Sequence, residues 1–436
     1  MSATQHKLLI ANRGEIVIRI AKAAKELGIP SVSIYSEDDA TSLHLQQTDF
    51  AIAIEGRGPR AYLDIDAIIA VAKKEDCTMI HPGYGFLSES DAFAAMCAEE
   101  GIIFVGPKPE ILDLFGNKIE ARRLAENWGV PTIEGTLDTT TLEEAIAFFE
   151  SLGEGAAMMI KAVVGGGGRG MRLVTKVEDI SSSFQRCQSE AERAFGNGDV
   201  YVEKYIPKAR HVEVQILGDG ENISHLGERD CSIQRRNQKI IEIAPCPGIV
   251  PELREKLVNA AMLLAKAVNY NSVGTVEFLV EGREELTADT PFYFIEANPR
   301  LQVEHTITEE VMGIDLLLFQ LQEAMGISLE TMGLLEHEVP EPEGYAMQLR
   351  INTEVMDSEG RLQPKSGIIS RYDFPMGEGI RVDGYGYEGY QTNPNFDSLL
   401  AKLICHSPYD HFGSVVEKAI EVLLSLIHIS EPTRPY

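Results

Sequence analysis

The chain has 436 residues, room for about three domains at roughly 150 residues each. Apolar residues make up 44% and charged residues 24%, the balance of a folded globular protein, which excludes wholesale disorder. Lysine and arginine number 39 against 67 acidic residues, and the resulting net charge of −28 argues against nucleic acid or an anionic membrane as partner. An anionic ligand therefore needs a local island of positive charge.

No stretch reaches the roughly 18 apolar residues of a membrane span. The polar start, Met1 to Lys7, runs straight into Leu8-Leu9-Ile10 without a signal sequence, so a cytoplasmic chain is expected. Six scattered cysteines form no CxxC pair, which predicts buried or free thiols rather than disulfides or a zinc site.

Strand and helix signals alternate through the first hundred residues. Lys7–Ala11 is a short apolar run; Ile16, Ile20, Ala23 and Leu27 recur at helical spacing; Gly28-Ile29-Pro30 ends that helix. Strands follow at 31–35, 78–80 and 102–105, with a helix over 91–100. Strands separated by helices predict βαβ units and a mainly parallel sheet. The stretch from about Pro107 to Asn127 reads as helical and rich in charge. The lone Trp128 reads as core, and His44, His225 and His406 as ordinary, without partners at metal spacing.

A second block begins with a strand over 158–164 that ends in Gly165-Gly166-Gly167-Gly168-Arg169-Gly170. Glycines let backbone amides approach an anion closely. Neither a P-loop nor a dinucleotide fingerprint fits: Met171 and Arg172 stand where Lys and Ser/Thr belong, and Arg172-Leu173-Val174 looks like a returning strand, not a helix. A glycine loop between two strands reads as a flap over a nucleotide triphosphate; the competing reading is a loose surface hairpin. Further strands are expected at 201–205 and 211–217. A pair at 275–281 and 292–297 has the pattern of an antiparallel hairpin. On it, Glu277 shares a face with Thr275 and Leu279, and Phe294, Glu296 and Asn298 share one face of the partner. If the faces coincide, Glu277, Glu296 and Asn298 offer hard oxygen ligands suited to magnesium.

Directly after this pair comes Asn298-Pro299-Arg300-Leu301-Gln302-Val303-Glu304-His305. Arg300 suits a bidentate grip on a planar anion such as bicarbonate, and Glu304 is placed to act as a general base. Arg235-Arg236-Asn237-Gln238-Lys239 is a second basic cluster, and 81–86 (HPGYGF) is a strand-end turn read either as a substrate contact or as structure. The Pro- and Glu-rich 336–344 reads as a linker to a third, glycine-rich β segment. An amphipathic helix over 415–427 closes the chain.

Ala11–Ile16 (ANRGEI), His81–Glu89 (HPGYGFLSE), the GGGGRGM loop, Glu228–Ser232 (ERDCS) and Glu296–His305 (EANPRLQVEH), in that order, resemble the biotin carboxylase component of biotin-dependent carboxylases, an ATP-grasp fold. The resemblance covers nearly all of residues 7 to about 425. It implies an α/β chain with a Rossmann-like N-terminal domain at 1–115, an ATP-grasp domain at 116–335 whose mobile lid spans about 133–204, and a mixed β C-terminal domain at 336–436. It also implies that ATP is held by Lys118, Lys161, Gly165 to Gly168 (that is Gly165, Gly166, Gly167 and Gly168), Glu203, Lys204, His211, Gln234, Asn237 and Leu279. Magnesium, or manganese in its place, would be held by Glu277, Glu296 and Asn298. Bicarbonate would sit against Lys239, Arg300, Gln302 and Val303 with Glu304 removing its proton, while Arg350 would stabilise the biotin enolate and Tyr84 would line the substrate site.

The activity so implied is the carboxylation of biotin through carboxyphosphate, the half-reaction common to acyl-CoA, pyruvate and urea carboxylases. Biotin is expected on a carrier domain or subunit that works with a carboxyltransferase, and the complete family domain forms homodimers. Rival readings are a carbamoyl-phosphate synthetase-like ligase and a non-catalytic nucleotide-binding fragment. Asn237 stands where the family usually has His, and Asn117 where Asp is typical. The C-terminal domain reads as incomplete, with 425–436 (SLIHISEPTRPY) expected to be non-native.

Overall fold

The computed structural model describes residues 6–164, 170–282, 286–358 and 362–426. The glycines Gly165 to Gly168 and the chain from 427 onward lie outside the described residues.

Strands β1 (Leu8–Ile10), β2 (Ser31–Tyr35), β3 (Phe50–Ala53), β4 (Met79–His81) and β5 (Ile103–Phe104) form an all-parallel sheet in the order β3-β2-β1-β4-β5. Central β1 is buried on both faces, which is why it reads as unbroken apolar sequence. Helix Glu15–Glu26 lays Ile16, Ile20, Ala23 and Ala24 on the sheet, and Gly28 follows it with φ 70°, a conformation that favours glycine. At the C-terminal edge of the sheet the Asn12 amide donates to the carbonyls of Pro82 (2.6 Å) and Tyr84 (2.9 Å), clamping the 81–86 turn.

The helical stretch after Pro107 is two helices, Pro109–Gly116 and Lys118–Asn127. Asn117 caps the second, its side-chain oxygen accepting from the amides of Ile119 (3.0 Å) and Glu120 (3.3 Å), a task asparagine performs as well as aspartate. Trp128, expected in the core, is 48% exposed: it sits at the C-cap of this helix, past the last turn that packs inward.

Strands β6 (Met158–Ala162), β7 (Met171–Val174) and β8 (Val200–Lys204) form a small antiparallel sheet in the order β7-β6-β8. The strand returning from the glycine run is therefore β7. Helices Leu142–Ser151 and Ile180–Phe195 back this sheet, and Met158, Ile160, Val174, Phe184 and Cys187 form a core of its own.

The remaining strands are β9 (Ala209–Asp219), β10 (Ile223–Arg235), β11 (Gln238–Ala244), β12 (Asn271–Glu281), β13 (Phe292–Asn298), β14 (Tyr345–Asn352), β15 (Glu354–Met356), β16 (Leu362–Pro364), β17 (Ile380–Gly384) and β18 (Leu399–Ser407). Eight of them make one antiparallel sheet, β13-β12-β9-β10-β11-β14-β18-β17. After the 336–344 linker, β14, β17 and β18 thus join the same sheet as the strands before it, while β15 and β16 pair only with each other. One face packs Val212, Val214, Ile216, Val276 and Phe278 against helix Pro251–Ala267. The opposite face is polar, and helix His305–Met312 crosses it. The six cysteines are all buried free thiols.

Candidate active site

Strand alternation builds the site. Along β9, Val212, Val214 and Ile216 point into the apolar core, which turns His211, Glu213 and Gln215 to the polar face. Register then lines up a transverse row: Glu296 on β13 opposes Glu277 on β12, Glu277 opposes Glu213 on β9, and Glu213 opposes Arg229 on β10. Three carboxylates side by side repel one another and need cations.

The face expected for Phe294 is wrong. A register shift between Glu277 and Phe278 pairs Phe278 with Phe294 and Val276 with Ala297. Phe294 therefore packs with Phe278 in the core, while Glu296 and Asn298 lie on the side of Glu277. One extra residue in β13 reverses the side-chain alternation, as a β-bulge does.

Each carboxylate of the row is met by at least one cationic side chain. Lys118 Nζ lies 3.0 Å from Glu296 Oε2, and His211 Nε2 lies 2.6 Å from Glu277 Oε2. Lys239 Nζ bridges Glu213 Oε2 (2.6 Å) and Glu277 Oε1 (3.0 Å). Burial works to raise the Glu277 carboxyl, but Lys239 and His211 outweigh it and hold it at about 2. Lys118 does the same for Glu296 against burial, also to about 2. Burial disfavours the His211 imidazolium, yet Glu277 raises it above its ordinary value. The Asn298 amide donates to Glu277 Oε1 at 3.0 Å. Its oxygen accepts from Arg300 Nη2 at 3.4 Å. Two carboxylates locked in the ionised form, with cationic side chains already drawn to them, are hard oxygen donors that suit a divalent cation such as magnesium.

A second cluster adjoins the first. Glu304, almost fully buried, takes Lys239 Nζ at 2.7 Å on one oxygen and Arg350 Nη2 at 3.1 Å on the other. Burial works to raise the Glu304 carboxyl; Lys239, then Arg350 and Arg229, overcome it and lower it. Arg350 Nε in turn donates to Glu242 Oε1 at 2.6 Å. Arg300 is held by Glu89, from the turn that follows β4, and by Gln302 Oε1 at 2.9 Å. Lys239 and Gln302, the latter through Nε2 at 3.4 Å, therefore reach Glu277 directly, while Arg300 joins them through Gln302 and Arg350 through Glu304.

Of the other expected residues, Lys161 is ion-paired to Glu203 across the β6–β8 pairing. The neighbouring Lys204 faces the other way and is exposed. Gln234 Nε2 meets His211 Nδ1 at 2.8 Å, and Leu279 stands opposite His211 on the same face. Asn237 is exposed in the two-residue turn joining β10 to β11, where Arg236 (φ 52°) and Asn237 (φ 64°) both take left-handed geometry. That type I′ geometry favours asparagine. The Tyr84 hydroxyl is engaged by Glu15, and the Val303 carbonyl by Lys402.

Sequence reasoning missed Glu213, Glu242 and Cys231. Glu213 was legible in principle, two residues past His211 on the same strand face. Its carboxylate, the His211 ring and Glu277 bring ligand atoms within 4.8 Å of one another. The Cys231 thiol lies within the same reach of Glu213 and Glu304, and burial pushes it well above its ordinary value.

Residues 4–112 match the family model for the biotin carboxylase N-terminal domain. Residues 117–332 match the ATP binding domain of the carbamoyl-phosphate synthase L chain, and 348–430 the biotin carboxylase C-terminal domain. The chain is 48% identical over 406 residues to the pyruvate carboxylase of Bacillus subtilis, covering 91% of this chain and 34% of that protein. It is 47% identical over 411 residues to human mitochondrial pyruvate carboxylase, covering 93% and 34%. It thus spans about a third of the length of these relatives.

Among solved structures it is similar to the biotin carboxylase domain of the Hydrogenobacter thermophilus 2-oxoglutarate carboxylase, a complex with MgADP, ADP and bicarbonate. The identity is 40% and the TM-score 0.90, over 96% of this chain and 89% of that one. It is also similar to a biotin carboxylase complex from Campylobacter jejuni, at 38% identity and TM-score 0.88, over 96% and 90%. Matched in three successive segments and sharing its fold with nearly the whole of these solved domains, the chain belongs to the biotin carboxylase family.

Proposed function

We propose that the chain carboxylates biotin at the expense of ATP. The observation that carries this reading is the Glu304 carboxylate, ionised and bridged between Lys239 and Arg350, beside the oxygen ligands Glu277 and Glu296. Glu277, Glu296 and Asn298 would hold magnesium, which supplies charge neutralisation to a bound triphosphate. Lys118, Lys161, His211, Glu203, Lys204, Gln234, Leu279, Asn237 and the glycine run are the proposed nucleotide contacts. Lys239, Arg300, Gln302 and Val303 hold bicarbonate, and Glu304 takes its proton, so that a bicarbonate oxygen attacks the γ-phosphorus and ADP leaves. The resulting carboxyphosphate breaks down to carbon dioxide and phosphate. N1′ of biotin loses its proton to the released phosphate and its nitrogen bonds the carbon dioxide, with Arg350 opposite the enolate oxygen and Tyr84 lining the pocket.

The proposed domains are 1–115, 116–335 with its lid at about 133–204, and 336–436. A biotin carrier and a carboxyltransferase are the proposed partners, in keeping with multi-domain relatives, and the proposed assembly is a homodimer. No helix among the described residues is long and apolar enough to cross a membrane. Six unpaired thiols are in keeping with a reducing compartment such as the cytoplasm.

The ATP-binding segment alone would also suit a carbamoyl-phosphate synthetase-like ligase, since its family model carries that description. Arg350, which grips Glu304, lies outside that segment and within the match to the biotin carboxylase C-terminal domain, which favours biotin as the acceptor. The deciding experiment is ADP release from ATP, magnesium and bicarbonate with and without free biotin. Stimulation by biotin supports the reading. Bicarbonate-dependent turnover indifferent to biotin supports the ligase instead.

A further inference from the structure

Against the Val303 carbonyl lies a buried group of charges, Lys402, Glu15 and Asp383, to which the mechanism assigns no part. Lys402 is the one charged residue in Leu399–Cys405 of β18 and is fully buried. Its ammonium lies 3.0 Å from Glu15 Oε1, at the first turn of helix Glu15–Glu26, and 3.9 Å from Asp383 Oδ2 on β17. The Glu15 oxygen that meets Lys402 also accepts the Tyr84 hydroxyl, so the group is anchored to the turn that follows β4 of the N-terminal sheet. Replacing a buried ion pair by apolar side chains of similar volume is often neutral or stabilising, so stability alone gives no reason for this charge. What Lys402 does that a leucine would not is donate to the Val303 carbonyl, at 3.2 Å.

That carbonyl belongs to the peptide joining Val303 to Glu304. A peptide is planar, so fixing its oxygen orients the Glu304 amide and Cα on the other side of the bond. Glu304 is the N-cap of helix His305–Met312, with φ −84° and ψ 8°, and its oxygens must meet Lys239 and Arg350 within hydrogen-bond reach. A rotation of this one peptide would carry the carboxylate away from both.

We propose that Lys402 is a positioning residue: its buried ammonium, aimed by Glu15 and Asp383, holds the Val303 carbonyl and so fixes the peptide that carries Glu304. The inference rests on the reading of Glu304 as the base. It makes the helix and turn beside the N-terminal sheet, through Glu15 and Tyr84, part of the support for chemistry performed on the central sheet.

The test compares the unmodified chain with Glu15→Gln and with the charge-balanced pair Lys402→Met/Glu15→Gln. Bicarbonate-dependent, biotin-stimulated ADP release is measured together with the KM for ATP and the thermal midpoint. The double variant is expected to lose at least about ten-fold in kcat with the KM for ATP within about two-fold, and Glu15→Gln to lose about three-fold or more. A folded double variant whose kcat stays within about two-fold of the unmodified chain overturns the proposal, as does a parallel loss in kcat and in ATP affinity, which marks general loosening. Should the double variant fail to fold, Glu15→Gln decides by the same criteria. An unmodified chain without biotin-stimulated turnover instead overturns the functional reading, and this proposal with it.

Discussion

Arg350 Nη2 lies 3.1 Å from one oxygen of Glu304 while Arg350 Nε lies 2.6 Å from Glu242, so a single guanidinium ties two buried carboxylates together. Lys239 occupies the other Glu304 oxygen from across the site. The candidate base is thereby kept ionised against its burial and held at a fixed angle, both of which a proton acceptor needs.

Glu304→Gln keeps the shape and removes the basic oxygen. Bicarbonate-dependent ADP release should fall by about 100-fold or more, the scale of general base catalysis. ATP affinity, followed by a fluorescent nucleotide analogue, should change little because Glu304 faces Lys239 and Arg350.

Arg350→Met leaves Glu242, fully buried, without its guanidinium partner. Biotin-stimulated turnover should drop about 100-fold, the scale of losing a donor to a developing anion. Urea unfolding should show a loss of about 1–3 kcal/mol for the stranded acceptor. Arg350→Lys should rescue little, since an ammonium cannot bond Glu242 and Glu304 in the fork geometry.

Glu296→Gln removes one of the two opposed carboxylates and leaves Lys118 without its 3.0 Å partner. The magnesium concentration for half-maximal turnover should rise at least about ten-fold. Titration of the nucleotide-loaded protein with manganese, followed by electron paramagnetic resonance, reads the same loss without turnover.

Acid should unfold the protein through Glu277 and Glu296. Both carboxyls lie at about 2 in the folded chain, below their ordinary value of 4.5. A depressed folded value means a contribution that is complete above 4.5 and is lost as pH falls from there through about 2. Thermal midpoints measured from pH 7 to pH 2 should therefore fall steeply within that window, and Glu277→Gln should flatten the fall.

Asn237 stands at φ 64°, a left-handed conformation that costs an ordinary L-residue about 1–2 kcal/mol. Asn237→Val should cost about that much in urea unfolding, whereas Asn237→Gly should be tolerated.

The parts of this fold that could be read from the chain are those written in short-range pattern. Unlike the half-exposed edge strand β3, the apolar run at 8–10, the helix after it, the parallel strands β2, β4 and β5 and the strand pair at 275–281 and 292–297 declare themselves within a window of a dozen residues. The motif from Glu296 to His305 does the same for half of the site. Strands β10, β11 and β14 did not stand out, because their polar faces look inward onto the site and break the usual apolar-in rule. The β13 bulge, which sends Phe294 to the core and Glu296 to the site, leaves no mark on composition or period.

Lys402 is the one charged residue in Leu399–Cys405 of β18, and Glu213 and Glu242 each stand between apolar neighbours on β9 and β11, with nothing nearby in the chain to name their partners. Those partners are 26 residues away for Glu213 and Lys239, 108 for Glu242 and Arg350, and 99 for Lys402 and Val303. Periodicity reports which way a side chain points from its own strand. Which strand lies alongside, and in what register, is decided only when distant segments pack, and here that packing turns scattered charges into a site.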